Sequence, residues 1–189
     1  MPTTRELSYA LYGAWLLARR NPTGLMFFDS SVEGCRRSFA AGVLIYPAYL
    51  ILLGLDLPDA TWRDSGAFQL LIVQTIAYVT AWAALPLAFF ALCRLLGREE
   101  RFLAYVTAYN WSQILQYTVL LAVLGLKTSG LLPGALGALI VDVGVLLLYV
   151  YCWYIARVSL QIGGLQAVAF VLVDIVLSRA ILNVADAIG

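Results

Sequence analysis

Tyr109-Asn110-Trp111-Ser112-Gln113, followed by Gln116 and Tyr117, is the stretch on which the fold turns. It interrupts a run that is otherwise apolar from Phe102 to Leu126. A run of that length can cross a bilayer as a helix. Amides inside hydrocarbon are costly unless another helix satisfies them. Asn110, Gln113 and Tyr117 recur at helical spacing and can share one face. That face is expected to line the inside of a helix bundle.

The rest of the chain fits such a bundle. Of 189 residues, 62% are hydrophobic and 12% charged, against roughly 45–50% and 25% in a soluble domain. Mean hydropathy is +0.87. The fold class expected is all-α, a polytopic transmembrane helix bundle of five spans plus an N-terminal interfacial amphipathic helix. Residues 1–37 form the cytoplasmic N-terminal segment and 38–189 the five-span domain.

Working outward from the third span, Gly97-Arg98-Glu99-Glu100-Arg101 is a tight charged turn. The second span runs before it, from about Phe68 to Leu96, with Pro86 as a kink. The first span covers about Ser38 to Leu55 and contains Pro47. A polar loop from Asp56 to Ser65, with Pro58, joins the two. After the third span, Lys127-Thr128-Ser129-Gly130 turns into a fourth, about Leu132 to Ala156. Gly134 and Ala138 there make a small-x-x-x-small pair, and Gly137 and Gly144 lie seven apart; such residues let helix backbones approach. Tyr149, Tyr151, Trp153 and Tyr154 read as an aromatic girdle. The fifth span runs from about Leu165 to Val184.

Residues 4–20 read as a short amphipathic helix with Leu7, Leu11, Ala14 and Ala18 in one stripe, and Tyr12, Trp15 and Leu16 beside it. Trp and Tyr favour the headgroup level, and Arg5, Arg19 and Arg20 suit an anionic surface. The competing placement is a helix packed under the bundle. Asn21-Pro22-Thr23-Gly24 ends it, and Leu25 to Phe28 is a short apolar dip. Ser30-x-x-Glu33 matches a capping box, with Asp29 as a further cap.

Positive charge sets the orientation. Arg5, Arg19, Arg20, Arg36, Arg37, Arg94, Arg98, Arg101 and Arg157 fall on one side, and only Arg63 and Lys127 on the other. The positive-inside rule places the N-terminus in the cytoplasm and the C-terminus outside.

Two intramembrane constellations stand out. Asp142 is roughly 12–15 Å, and Arg179 roughly 8–10 Å, deep from the outer face by helix rise. They are a candidate buried ion pair, since pairing is how bundles tolerate charge. The alternative is an Arg179 that snorkels outward. Asp174, near the middle of the fifth span, matches Asn110 and Gln113 in depth. A carboxylate facing two amides suits a cation, a proton or a polar substrate, or a hydrogen-bonded structural clasp.

Several chemistries are disfavoured. The chain has no histidine, which removes His-based metal sites and Ser-His-Asp catalysis. Cys35, Cys93 and Cys152 form no C-x-x-C pair and read as small apolar residues. No phosphate loop, nucleophile elbow, zinc-protease or dinucleotide motif is present. No metal or other cofactor is expected, and net charge +1 without a basic patch argues for no nucleic-acid partner.

Five spans after a cytoplasmic N-terminal segment, with short turns, the Tyr109-Asn110 pair and the Ser38-Phe39 entry to the first span, resemble the Yip family of small multispanning membrane proteins. The Asp-Leu-Tyr-Gly-Pro-type segment of eukaryotic members is missing. The resemblance implies a bacterial inner-membrane protein, and it carries over no functional residue. The function expected is a non-catalytic integral membrane protein that organises or binds protein partners, a second copy of itself, or membrane lipids. The alternative is a small transporter or channel built on Asp174, Asn110 and Gln113.

Overall fold

The run that opens at Phe102 becomes the axis of the molecule. In the structure, a computed structural model that describes residues 2–56 and 66–188, the elements are helical throughout. They are α1 (Thr4–Ala18), a short 3-10 helix (Pro22–Phe27), α2 (Val32–Ser38), α3 (Ala40–Asp56), α4 (Ala67–Leu95), a 3-10 turn (Glu99–Arg101), α5 (Phe102–Thr128), α6 (Gly134–Leu160) and α7 (Gly164–Ile188). The loop expected at 56–65, with Pro58 and Arg63, lies outside the described residues apart from the end of α3.

α5 packs against α1, α2, α3, α4 and α6, while α7 closes the bundle against α4 and α6. From Tyr105 to Ser112 every residue of α5 is buried. A helix enclosed on all sides needs no lipid-facing stripe, so its amides can point at neighbours.

Four segments are long and apolar enough to cross a membrane: Val32–Leu55, Ala67–Leu95, Gly134–Leu160 and Gly164–Ile188. α5 is as long as α6, at 27 residues, but its central polar stretch keeps it out of that set. Length and apolarity therefore support four of the five expected spans.

Local chemistry sets the turns. α4 ends where Gly97 takes φ +62°, and Arg98 N–H donates to Cys93 O at 2.8 Å. This left-handed cap reverses the chain into α5. The expected first span carries a break at Phe39, between α2 and α3. The cap of α2 is Ser31 and not Ser30: Ser31 Oγ accepts from Gly34 N–H at 3.0 Å, and Asp29 Oδ1 accepts from Ser31 N–H at 3.0 Å. Gly34 fits because a Cβ there would collide with the backbone oxygen of Asp29.

α6 approaches α5 through glycine. A Cβ on Gly144 would meet Val123 Cγ1 at 3.3 Å, and one on Gly137 would meet Lys127 at 3.4 Å, whereas Gly134 faces open space. The close approach uses the seven-residue glycine pair, not Gly134 and Ala138.

α1 takes an intermediate course. Ala10, Gly13, Ala14 and Leu17 are its buried face, so the inward stripe is rotated from the expected Leu7-Leu11-Ala14-Ala18. Its backbone crosses the 3-10 helix so closely that a Cβ on Gly13 would lie 2.8 Å from Gly24 O. Leu11, Tyr12 and Trp15 stay exposed, as does Met26 of the 3-10 helix. The helix is thus packed on the bundle by one side and presents an aromatic side outward.

Candidate functional site

The polar side chains of α5 are distributed to several partners, each set by azimuth around the helix. Tyr109 O–H donates to Asp174 Oδ2 of α7 at 2.8 Å. Ser178, one turn beyond Asp174, donates to Oδ1 at 3.3 Å. Asp174 is half-buried and Tyr109 nearly fully buried. Below them Phe89 of α4, Tyr105 of α5 and Phe170 of α7 pack edge to face and tilted, with ring centroids 5.2 Å apart for Phe89–Tyr105 and for Tyr105–Phe170. This aromatic layer closes the bundle around the carboxylate.

Asn110 sits about 100° further round α5 and turns to the opposite neighbour. Its Nδ2–H donates to Ser38 Oγ at 2.9 Å, and Ser38 O–H donates to Cys35 O at 2.7 Å. Asn110 therefore fastens α5 to the break between α2 and α3, away from Asp174. Gln113 is half-buried, and among the described residues no hydrogen bond joins it to Asp174. The expected Asn110–Gln113–Asp174 cluster is replaced by two separate clasps, with Tyr109 as the partner of Asp174.

The third clasp joins α5 to α6 and α1. Tyr151 O–H donates to Ala14 O of α1 at 2.8 Å and lies 2.9 Å from Ser112 Oγ. Cys152 S–H donates to Gln116 Oε1 at 3.2 Å. Gln116 Nε2 is buried, without a partner among the described residues. Tyr151 thus leaves the expected girdle for the core. Trp153 N–H and Tyr154 O–H donate to the backbone oxygens of Gly164 and Arg20, each at 2.8 Å. The three cysteines are buried and free.

The ion pair expected between Asp142 and Arg179 does not form: both side chains are exposed, and no ion pair joins them among the described residues. Helix rise gives position along the helix but not azimuth. Gly144 faces α5, and Asp142, two residues earlier, lies about 200° round α6.

The N-terminal segment holds a charge cluster that spacing alone did not suggest. Arg37 Nε meets both carboxylate oxygens of Glu6 at 3.0 Å, and its Nη2 donates to Asp29 Oδ2 at 2.7 Å. Its Nη1 lies 3.5 Å from Glu33 Oε1, while Glu33 also takes Arg36 at 2.6 Å. One guanidinium thus ties α1, the linker and α2 together. The carboxyl of Asp29 is held below its ordinary value of 3.8, first by the backbone N–H of Ser31, then by the Ser31 side chain, with Arg37 adding to both.

Toward the end of the bundle that carries the C-terminus, Gln74 links α3, α4 and α7. Tyr49 O–H donates to Gln74 Oε1 at 3.1 Å, and Gln74 Nε2 donates to Asp186 Oδ1 at 3.0 Å. Two surface hollows flank α4: one of about 440 Å³ beside Phe39, Trp82, Pro86 and Phe90, and one of about 430 Å³ beside Arg94 and Glu99. Neither is lined by Asp174, Asn110 or Gln113.

Comparison with protein-family models, with curated proteins and with solved structures returns no match to this chain.

Proposed function

We propose that this chain is a non-catalytic integral membrane protein, Yip-like in layout, that organises or binds protein partners or lipids within the membrane. α5 serves as the third of its five spans. It is as long as α6 and lies among the other helices, and they take up Tyr109, Asn110, Ser112 and Gln116. α1 lies at the cytoplasmic interface, with Tyr12 and Trp15 toward the headgroups and Arg5, Arg19 and Arg20 toward anionic lipid. The charge asymmetry supports a cytoplasmic N-terminus and an outside C-terminus, and the Yip-like layout supports a bacterial inner membrane.

The observation that carries this proposal is the closed clasp at Asp174. Its carboxylate is occupied by Tyr109 and Ser178, above a packed aromatic layer. A transport site needs a carboxylate that exchanges partners with solute or water; this one is spent on holding α5 to α7. A small transporter or channel has one observation in its favour, the Gln116 Nε2 beside Cys152, buried and without a partner among the described residues.

Proteoliposomes decide between the two. The purified protein should leave imposed proton and potassium gradients intact at every protein-to-lipid ratio. A leak that Asp174→Asn abolishes would replace the organising role with transport.

A further inference from the structure

Five charged residues lie on α6 and α7, and three of them are accounted for within the chain. Asp174 is held by Tyr109 and Ser178, Asp186 by Gln74, and Arg157 lies over the Trp153 ring at 5.4 Å. Asp142 and Arg179 are left. Both are exposed, and neither has an ion pair or a side-chain hydrogen bond among the described residues. Both belong to segments apolar enough to cross a membrane.

Their surroundings are apolar. Leu139 and Leu146 flank Asp142 on α6 at helical spacing, and Leu172 and Val176 precede Arg179 on α7; these four are 54–66% exposed. The outer surface therefore carries two apolar stripes, each with one unpaired charge, of opposite sign. A charge facing acyl chains is strongly disfavoured, and membrane bundles answer with a partner. Among the described residues the chain offers no partner internally.

We propose that a second copy of this chain supplies it, with Asp142 on α6 of one protomer paired to Arg179 on α7 of the next. A rotation about the membrane normal leaves depth unchanged, so Asp142, roughly 12–15 Å below the outer face, stays within reach of an Arg179 at roughly 8–10 Å. Two such pairs close a dimer if the stripes share a face, and a ring if they do not. The apolar stripes pack around each pair and keep it dry. The inference deepens the proposed organising role by naming a partner, and it rests on α6 and α7 crossing the bilayer.

Charge exchange between copies tests it. Donor- and acceptor-labelled protein is reconstituted in phosphatidylethanolamine–phosphatidylglycerol vesicles, and association is read by energy transfer against protein-to-lipid ratio. Asp142→Arg alone sets Arg against Arg between copies, and Arg179→Asp alone sets Asp against Asp. Each variant by itself should weaken association at least about tenfold. Mixing the two restores opposite charges at both contacts and should restore energy transfer. The double exchange in one chain should associate like the parent, which shows that the altered residues are compatible with folding. A parent protein that inserts but stays monomeric at all ratios overturns the inference, as does association indifferent to both single exchanges. Either result leaves the gradient experiment as an independent test of the organising role.

Discussion

The hydroxyl of Tyr109 donates to the Asp174 carboxylate at 2.8 Å, across 65 residues of sequence. This bond fastens the enclosed helix α5 to α7, the last helix. Tyr109→Phe keeps the ring contact with Phe89, at 5.1 Å between centroids, and removes only the donor. It should cost about 1–3 kcal/mol, because it strips a partner from a half-buried carboxylate. Denaturant unfolding in detergent measures it. Asp174→Asn, which can still accept from Tyr109, should cost less.

Asn110 and Ser38 should behave as a coupled pair. Their 2.9 Å bond joins α5 to the break before α3. Interhelical hydrogen bonds of this kind contribute about 0.6–2 kcal/mol in membrane proteins. A double-mutant cycle with Asn110→Ala and Ser38→Ala should return a coupling in that range. Simple additivity would mean that the two side chains do not hold the break.

The glycines of α6 should separate by position. Gly144→Leu forces a side chain against Val123, already 3.3 Å from a bare Cβ, and should destabilise the bundle by about 1–3 kcal/mol. Gly134→Leu meets nothing within 4 Å and should be nearly neutral. Unfolding midpoints of the two variants give the comparison.

Acid should loosen the N-terminal segment. Asp29 has a folded value lowered from 3.8, first by the backbone N–H of Ser31. A lowered carboxylate stabilises the fold above its unfolded value and loses that contribution as pH falls through the folded one. Hydrogen exchange in residues 4–27 should therefore rise as pH drops below about 4, after correction for intrinsic exchange. Arg37→Gln should raise it at neutral pH, by removing the link from Glu6 to Asp29, whereas Arg36→Gln should do so far less. Equal effects of the two substitutions would contradict the Arg37 hub.

The helices were legible because each apolar run ends in a charged turn or a glycine. The turn at 97–101, with Gly97 left-handed, fell where the sequence placed it. The clasps were less legible because hydropathy and length give depth but not azimuth. Asn110 was expected to face Asp174, yet the neighbouring Tyr109, about 100° away on the helix, makes the bond. The same blindness paired Asp142 with Arg179 inside one chain. The Arg37 cluster was hidden for another reason: Glu6 lies 31 residues from Arg37, and only the close crossing of Gly13 and Gly24 brings α1 back to α2. The rotated stripe of α1 follows from that crossing too, since Ala10, Gly13 and Ala14, with Leu17, face the bundle in place of Leu11 and Ala18.

The most direct test of the organising role is carbodiimide labelling of Asp174 in folded protein in membrane vesicles, across pH, with the modified residue located by peptide mass. A clasp closed by Tyr109 and Ser178 predicts no label at Asp174 in the parent protein and labelling once Tyr109→Phe opens it. Ready labelling of the parent, suppressed by an added ion or solute, would contradict the closed bundle and make Asp174 a transport site.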